Sequence, residues 1–168
     1  MHRWTRPPEP AELSAKCEEL TKAFIAEKNA SGKTPHCKWP HVTNADGEVE
    51  TLQKMFSRHT HEHCNYCDSI MRYSSRDTID HFLPKSIFPD LSYAWENLYL
   101  CCDGCQRKGT DFDREVLRPD EPGYSFARYF RFHLDGNISV IARKDPDRRR
   151  AEITIRVLKL DHPDLIKN

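Results

Sequence analysis

Thr78-Ile79-Asp80-His81-Phe82-Leu83-Pro84-Lys85 decides the fold, because a Cys-x-x-Cys pair lies on either side of it. Cys64 and Cys67 precede it, Cys102 and Cys105 follow it, and Asn97 stands just upstream of the second pair. Four thiolates in that spacing can close one tetrahedral zinc site. The chain from 67 to 102 then becomes a loop pinned at its base, with an Asp-His pair held inside it.

Phosphodiester hydrolysis needs an activated water in line with the leaving oxygen and a cation where negative charge grows. His81 suits the first task, since an imidazole titrating near neutral pH is a good general base. Asp80 suits the second, because a hard divalent ion such as Mg²⁺ takes oxygen ligands. Adjacent residues on a regular strand face opposite ways, so this pair shares a site only where the strand ends or twists. Pro84 places such an ending close by. Alone, an Asp-His pair reads as a buried histidine beside a surface aspartate; inside a double Cys-x-x-Cys loop it reads as a metal-dependent nuclease.

Bulk properties bound the alternatives. The 168 residues suit one zinc-stapled domain with a modest decoration. Lys+Arg and Asp+Glu balance at 26 each, so the chain lacks the basic footprint of a protein that grips nucleic acid unaided. Binding must be local or assisted by a partner. No apolar run approaches the ~20 residues of a membrane span, and Met1-His2-Arg3-Trp4-Thr5-Arg6-Pro7-Pro8 lacks a signal peptide's apolar segment, so a cytoplasmic location is expected. Seven cysteines, an odd count, favour zinc in a reducing compartment over disulfides. Cys17, Cys37 and Cys101 read as small packed hydrophobes. A redox role for the paired motifs is disfavoured, because no βαβ pattern surrounds them.

Three segments are expected: a helical scaffold over 1–58, the nuclease core over 59–124, and a hairpin and tail over 125–168 that pack on the core. Leu13, Cys17, Leu20 and Phe24 recur at helical spacing after a Pro-rich entry, which predicts a packing face. Breaker residues over 29–47 predict a loop, and Val49, Leu52 and Phe56 a second helix. The alternation His59, His61, His63 puts imidazoles on one face of an extended segment. With four cysteines already filling a zinc shell, these histidines read as solvated or phosphate-facing. A short helix is expected from Asp103 toward Asp111. Phe126, Phe130, Phe132 and Leu134, the turn Asp135-Gly136-Asn137, then Ile138 and Val140 predict a β-hairpin. Asp145-Pro146-Asp147 starts a helix running from about 147 to 160, and Arg148-Arg149-Arg150 reads as a solvated face.

Taken together, Cys64-x-x-Cys67, Asp80-His81-Phe82-x-Pro84-Lys85, Asn97-Leu98-x-Leu100 and Cys102-x-x-Cys105-Gln106-x-Lys108-Gly109 resemble the HNH endonucleases of the ββα-metal fold. Further phrases resemble the nuclease subunit of the bacterial anti-phage systems called Septu, also found beside certain retrons. These are Tyr66-Cys67-Asp68, His81-Phe82-Leu83-Pro84-Lys85-Ser86, Trp95-Glu96-Asn97-Leu98 and Leu117-Arg118-Pro119-Asp120-Glu121-Pro122-Gly123-Tyr124. The core likeness covers about 64 to 109, with an extension to 124 and over Ala151 to Asp161.

The resemblance implies an α+β fold: a zinc-stapled ββα-metal core with an N-terminal helical segment and a C-terminal hairpin and helix. It implies His81 as the general base, Asp80 as a ligand of the catalytic ion, and Asn97 as the residue that orders the loop and orients the base. The four cysteines would hold structural zinc, and Lys85 or Lys108 would contact phosphate. The position after the last zinc cysteine, usually His or Asn and often a second metal ligand, is Gln106 here; its neutral, longer arm implies a weaker grip on the divalent ion. DNA is the implied substrate and an ATPase the implied partner, which would account for the neutral net charge. Relatives continue with more helix beyond Leu165-Ile166-Lys167-Asn168, so a short member or a truncated one is expected. The competing reading is a non-catalytic zinc-ribbon module that binds nucleic acid or a protein, but it gives no reason for Asp80, His81 and Asn97.

Overall fold

The computed structural model describes residues 1–71 and 78–162; the C-terminal tip Leu165 to Asn168 lies outside the described residues. α1 (Ala11–Ser31) starts after Pro10, whose φ of −62° suits a helix entry, and stops at Gly32. Gly32 turns left-handed (φ 66°) so that its N–H closes on the Lys28 carbonyl. Leu13 and Phe24 are buried, with Cys17 and Leu20 half-buried against the core, so the expected packing face is the real one.

The stretch expected as a loop, 29–47, contains β1 (His41–Thr43), which pairs in a small antiparallel hairpin with β2 (Val49–Thr51) at the start of the expected second helix. Asn44 makes it possible: its Oδ1 accepts from the N–H groups of Asp46 and Glu48 and folds the turn. Val49 therefore belongs to a strand, and the helix begins later, as α2 (Leu52–His59). Thr51 caps α2 by accepting from the Lys54 N–H at 3.2 Å. Leu52, Met55 and Phe56 form its buried face.

The central hairpin pairs β3 (Thr78–His81) with β4 (Leu98–Cys101) in the register Thr78↔Cys101, Ile79↔Leu100, Asp80↔Tyr99 and His81↔Leu98. All of β4 is buried, as its uninterrupted apolar run demands. The helix expected from Asp103 toward Asp111 is reduced to one 3₁₀ turn, Cys105–Lys108, bounded by Gly104 and by Gly109 at φ 58°. Glycine is a poor helix former, and two of them leave room for no more than a turn.

The C-terminal hairpin is present: α3 (Phe126–Tyr129) leads into β5 (Phe130–Phe132), which pairs with β6 (Ile138–Val140) around a tight turn at Gly136. α4 (Asp147–Leu158) follows, burying Ala151, Thr154, Val157 and Leu158 at helical spacing. Its arginines face acids: Arg148 pairs with Glu152, Arg149 with Glu115 and Arg150 with Glu121.

Buried residues from Met1 to Leu160 join one core, which the stretch Leu117 to Tyr124 helps to clamp. Arg6 donates to Asp120 at 2.6 Å and to the Trp95 and Leu98 carbonyls, while its guanidinium lies over Trp4, Trp95 and Tyr99. Tyr99 donates to the other Asp120 oxygen at 2.6 Å, and the Tyr124 hydroxyl donates to the Met1 carbonyl. The N-terminus is thereby fastened across the central hairpin. No described helix is long and apolar enough to cross a membrane.

Candidate active site

The cysteines converge as their spacing requires. Cys64 and Cys67 lie in the turns after α2, and Cys102 and Cys105 come directly off β4, so antiparallel pairing of β3 and β4 brings the second pair back beside the first. Their four sulfur atoms all lie within 4.8 Å of one another, with Cys67 and Cys102 at 3.6 Å. A ZnS₄ tetrahedron with bonds near 2.3 Å needs edges of about 3.8 Å, so the cluster fits Zn²⁺. Backbone N–H groups of Tyr66 and Cys102 donate to the Cys64 sulfur, which orients the ligand. Among the described residues this is the one group of His, Cys, Asp and Glu close enough to hold a metal; His59, His61 and His63 do not converge.

His81 closes β3 and Asp80 precedes it, so the two side chains leave opposite faces of the strand at its end. His81 is 6 % exposed. Its Nε2 sits 2.8 Å from the Ser92 carbonyl oxygen and donates to it, leaving Nδ1 as the free acceptor. Trp39 stacks on the ring (centroids 5.8 Å apart, planes at 27°), and the Cys37 sulfur lies 3.7 Å from Nε2. Burial depresses the imidazole to about 4, and the charges of Lys85 and Lys108 act in the same direction against the Ser92 carbonyl.

Asp80 faces inward. Its Oδ2 accepts from the Tyr66 hydroxyl at 2.9 Å and lies 3.3 Å from the Lys108 ammonium. Burial pushes this carboxyl up, while Lys108 and the Tyr66 hydrogen bond pull the other way. Lys108, whose sequence motif suggested phosphate, is 2 % exposed and donates to the His81 carbonyl at 2.9 Å. Lys85 is half-buried and donates to the Pro35 carbonyl at 2.9 Å.

Asn97 is a buried clip. Its side chain accepts from Leu83 N–H at 2.7 Å and donates to the carbonyls of Leu83 and Leu91, so it spans the loop between the strands of the hairpin. Gln106 uses its amide to donate to the Thr78 hydroxyl at 2.8 Å. Strand alternation puts Thr78 and Asp80 on one face of β3, so Gln106 stands along the Asp80 side of the hairpin, away from His81. Mg²⁺ asks for one or two protein carboxylates and takes waters and substrate phosphates for the rest. Asp80 is the carboxylate at this position, but its Oδ2 is shared between the Tyr66 hydroxyl and the Lys108 ammonium, and Gln106 is engaged with Thr78, so a hydrolytic ion held by Asp80 and Gln106 would have to displace those partners.

His81 ends the pinned hairpin against Ser92 and Trp39, Asp80 leaves the other face toward Tyr66 and Lys108, Asn97 clips the loop, and the four cysteines form the staple. Residues 64–112 match the HNH endonuclease family model. Beyond this HNH segment, the chain is 29 % identical over 137 residues to a Septu protein PtuB of Bacillus thuringiensis, covering 78 % of this chain and 47 % of that protein. A Septu protein PtuB of Bacillus mycoides is 32 % identical over 88 residues, which is 44 % of this chain and 28 % of that one. The chain thus spans less than half the length of either relative. Among the described residues, a mixed α/β architecture of four helices and three two-stranded sheets with the thiol cluster agrees with a zinc-stapled HNH core.

Three contributors escape a reading of the motifs. Tyr66 sits between the cysteines of the first pair and holds Asp80; the phrase Tyr66-Cys67-Asp68 marked it as part of the resemblance, but nothing there gave it this role. Trp39 lies outside the HNH segment and covers His81. Ser92 acts through its carbonyl, which no side-chain pattern reveals.

Proposed function

We propose that the chain is a metal-dependent HNH endonuclease that hydrolyses DNA phosphodiester bonds, as the cytoplasmic nuclease subunit of an anti-phage defence complex with an ATPase partner. The observation that carries this reading is His81, held in one tautomer by Ser92 at the end of β3 within the HNH-matched segment.

In this role Nδ1 of His81 accepts the proton of the attacking water while Nε2 keeps its own proton on the Ser92 carbonyl. Burial keeps the ring neutral at physiological pH, so the lone pair is available. A phosphate brought against the ring raises its basicity, because an anion favours the imidazolium. Asp80 would hold a divalent cation once Lys108 gives way, and such an ion would supply positive charge where the phosphoryl oxygens gain negative charge. Tyr66 and Lys108 hold that carboxylate in place, and Asn97 fixes the loop that carries Ser92. Lys85 reaches a phosphate by releasing the Pro35 carbonyl; Lys108 is assigned to Asp80 instead of DNA.

The test is plasmid cleavage with Mg²⁺ or Mn²⁺, with and without the ATPase partner, by the parent and by His81→Ala. Loss of the base should lower the rate roughly 10²–10⁴-fold, with zinc content unchanged. Equal rates would remove His81 from catalysis. A parent that binds DNA yet never cuts would favour the non-catalytic zinc-ribbon module, a reading helped by the internal engagement of both Asp80 and Gln106.

A further inference from the structure

The histidines upstream of the first cysteine pair remain without a role in that mechanism, and the fold gathers them. A cleft of about 390 Å³ is lined by His2, Arg3, Trp4, Thr5, His59, His61 and His63, with Asp68 at its wall. The sequence suggested an extended segment; instead His59 ends α2, His61 and Glu62 turn left-handed at φ 53° and 64°, and His63 enters a bridge with Ile70. Left-handed backbone is costly outside glycine and persists where the surroundings impose it.

The wall is rich in donors and poor in acceptors. Arg3 forms no ion pair, and the imidazoles of His2, His59 and His61 make no hydrogen bond, among the described residues. The one lining carboxylate, Asp68, is taken by His63, whose Nδ1 lies 3.1 Å from its Oδ1. Trp4 is 7 % exposed, and its indole Nε1 is the buried side-chain donor that lacks a partner among the described residues. Buried donors are normally satisfied, and Trp4, which carries this orphan, is one of the residues that line the cleft. Among the described residues these imidazoles do not gather into a metal-ligating group.

We propose that this cleft binds a phosphate group, supplied by the backbone of a nucleic-acid strand that runs past the cleavage site. The phosphate chemistry stands on the cleft itself, and the choice of a strand rests on the nuclease reading. Arg3 and His61 are the contacts: a fixed guanidinium for charge and an exposed imidazole for a directed bond.

The three tryptophans make the test direct. In the zinc-loaded full chain, ¹⁵N-indole resonances are followed during titration with inorganic phosphate and, separately, with a thymidine dinucleotide carrying one phosphodiester. The Trp4 signal, assigned by its absence in Trp4→Phe, should shift with the dinucleotide, while Trp95, whose Nε1 is bound to the Pro7 carbonyl, stays still. Arg3→Gln and His61→Gln, both at exposed positions, should each weaken dinucleotide binding about tenfold to a hundredfold, the scale of one lost charge-assisted hydrogen bond. A shift with inorganic phosphate but none with the dinucleotide overturns the strand. A still Trp4 signal with both probes, or binding unchanged in both variants, overturns the site. Cleavage is scored independently: a cutting enzyme with an inert cleft sinks only this inference, and a responsive cleft on an inactive protein sinks only the nuclease reading.

Discussion

Lys108→Met removes a charge from the interior while keeping nearly the same length and volume, so its effect is electrostatic and leaves no large cavity. The Lys108 side chain is 1 % exposed and that of Asp80 12 %. Stripping one partner from a buried pair costs about 3–5 kcal/mol, because the other charge is left uncompensated. The lost hydrogen bond to the His81 carbonyl falls inside that figure. With roughly 2–4 °C per kcal/mol for a chain of this size, the melting temperature should fall by about 10 °C. Adding Asp80→Asn removes the stranded carboxylate and leaves Tyr66 a neutral acceptor, so the double variant should recover about 2 kcal/mol. Urea unfolding of zinc-loaded protein, followed by tryptophan fluorescence, gives all four corners of the cycle. A single variant within about 1 kcal/mol of the parent, or a double variant no better than the single, would refute the closed Asp80–Lys108 pair.

Cys67→Ser or Cys102→Ser should release zinc and unfold the core, since metal binding contributes on the order of 10 kcal/mol in small zinc domains; elemental analysis with circular dichroism checks it, and well-folded parent protein without zinc contradicts it. His81 titrates near 4 when folded and near 6.5 when free, so between those values the unfolded chain binds a proton that the folded chain refuses. Stability from this group is therefore complete above about pH 6.5 and falls as pH drops, by about 2 kcal/mol between pH 7.5 and 5. His81→Gln should flatten that part of the slope, which unfolding curves at the two pH values measure. Gln106→Asn should lower the Mg²⁺ concentration for half-maximal cleavage and Gln106→Ala should raise it; superimposable titrations would place residue 106 outside the ion's shell. Trp39→Ala should slow cleavage and shift its pH profile by uncovering the His81 ring, with zinc content constant.

The cysteine spacing announced the staple, because four identical ligands have few ways to close a tetrahedron. The central strand pairing entered only through the resemblance to the ββα-metal fold, since no local pattern in Thr78–His81 and Leu98–Cys101 announces which strand pairs with which. Val49 misled because an apolar residue before Leu52 fits a helical period, whereas Asn44 folds a turn that only its side-chain hydrogen bonds explain. The expected helix after Cys102 failed for a visible reason, the glycines at 104 and 109. The inward fate of Lys108 was hidden: a lysine in a loop is commonly solvated, and nothing local says that a buried carboxylate awaits it. Long-range partners such as Trp39 for His81 and Arg6 for Asp120 carry no short-range pattern at all.

Trp39 has a consequence for transplanting the domain. A fragment cut at the borders of the HNH match, 64–112, keeps the thiols, Asp80, His81 and Asn97 but leaves behind the indole over the His81 ring, the Pro35 carbonyl that holds Lys85 and the Phe56 ring against Trp95. It would also lose Arg6, and with it the tie between the first residues and β4. The segment that matches the HNH family is therefore smaller than the unit that must be moved. A chimaera that borrows the HNH-matched segment should take the chain from the N-terminus onward, or it will carry the motif without its roof.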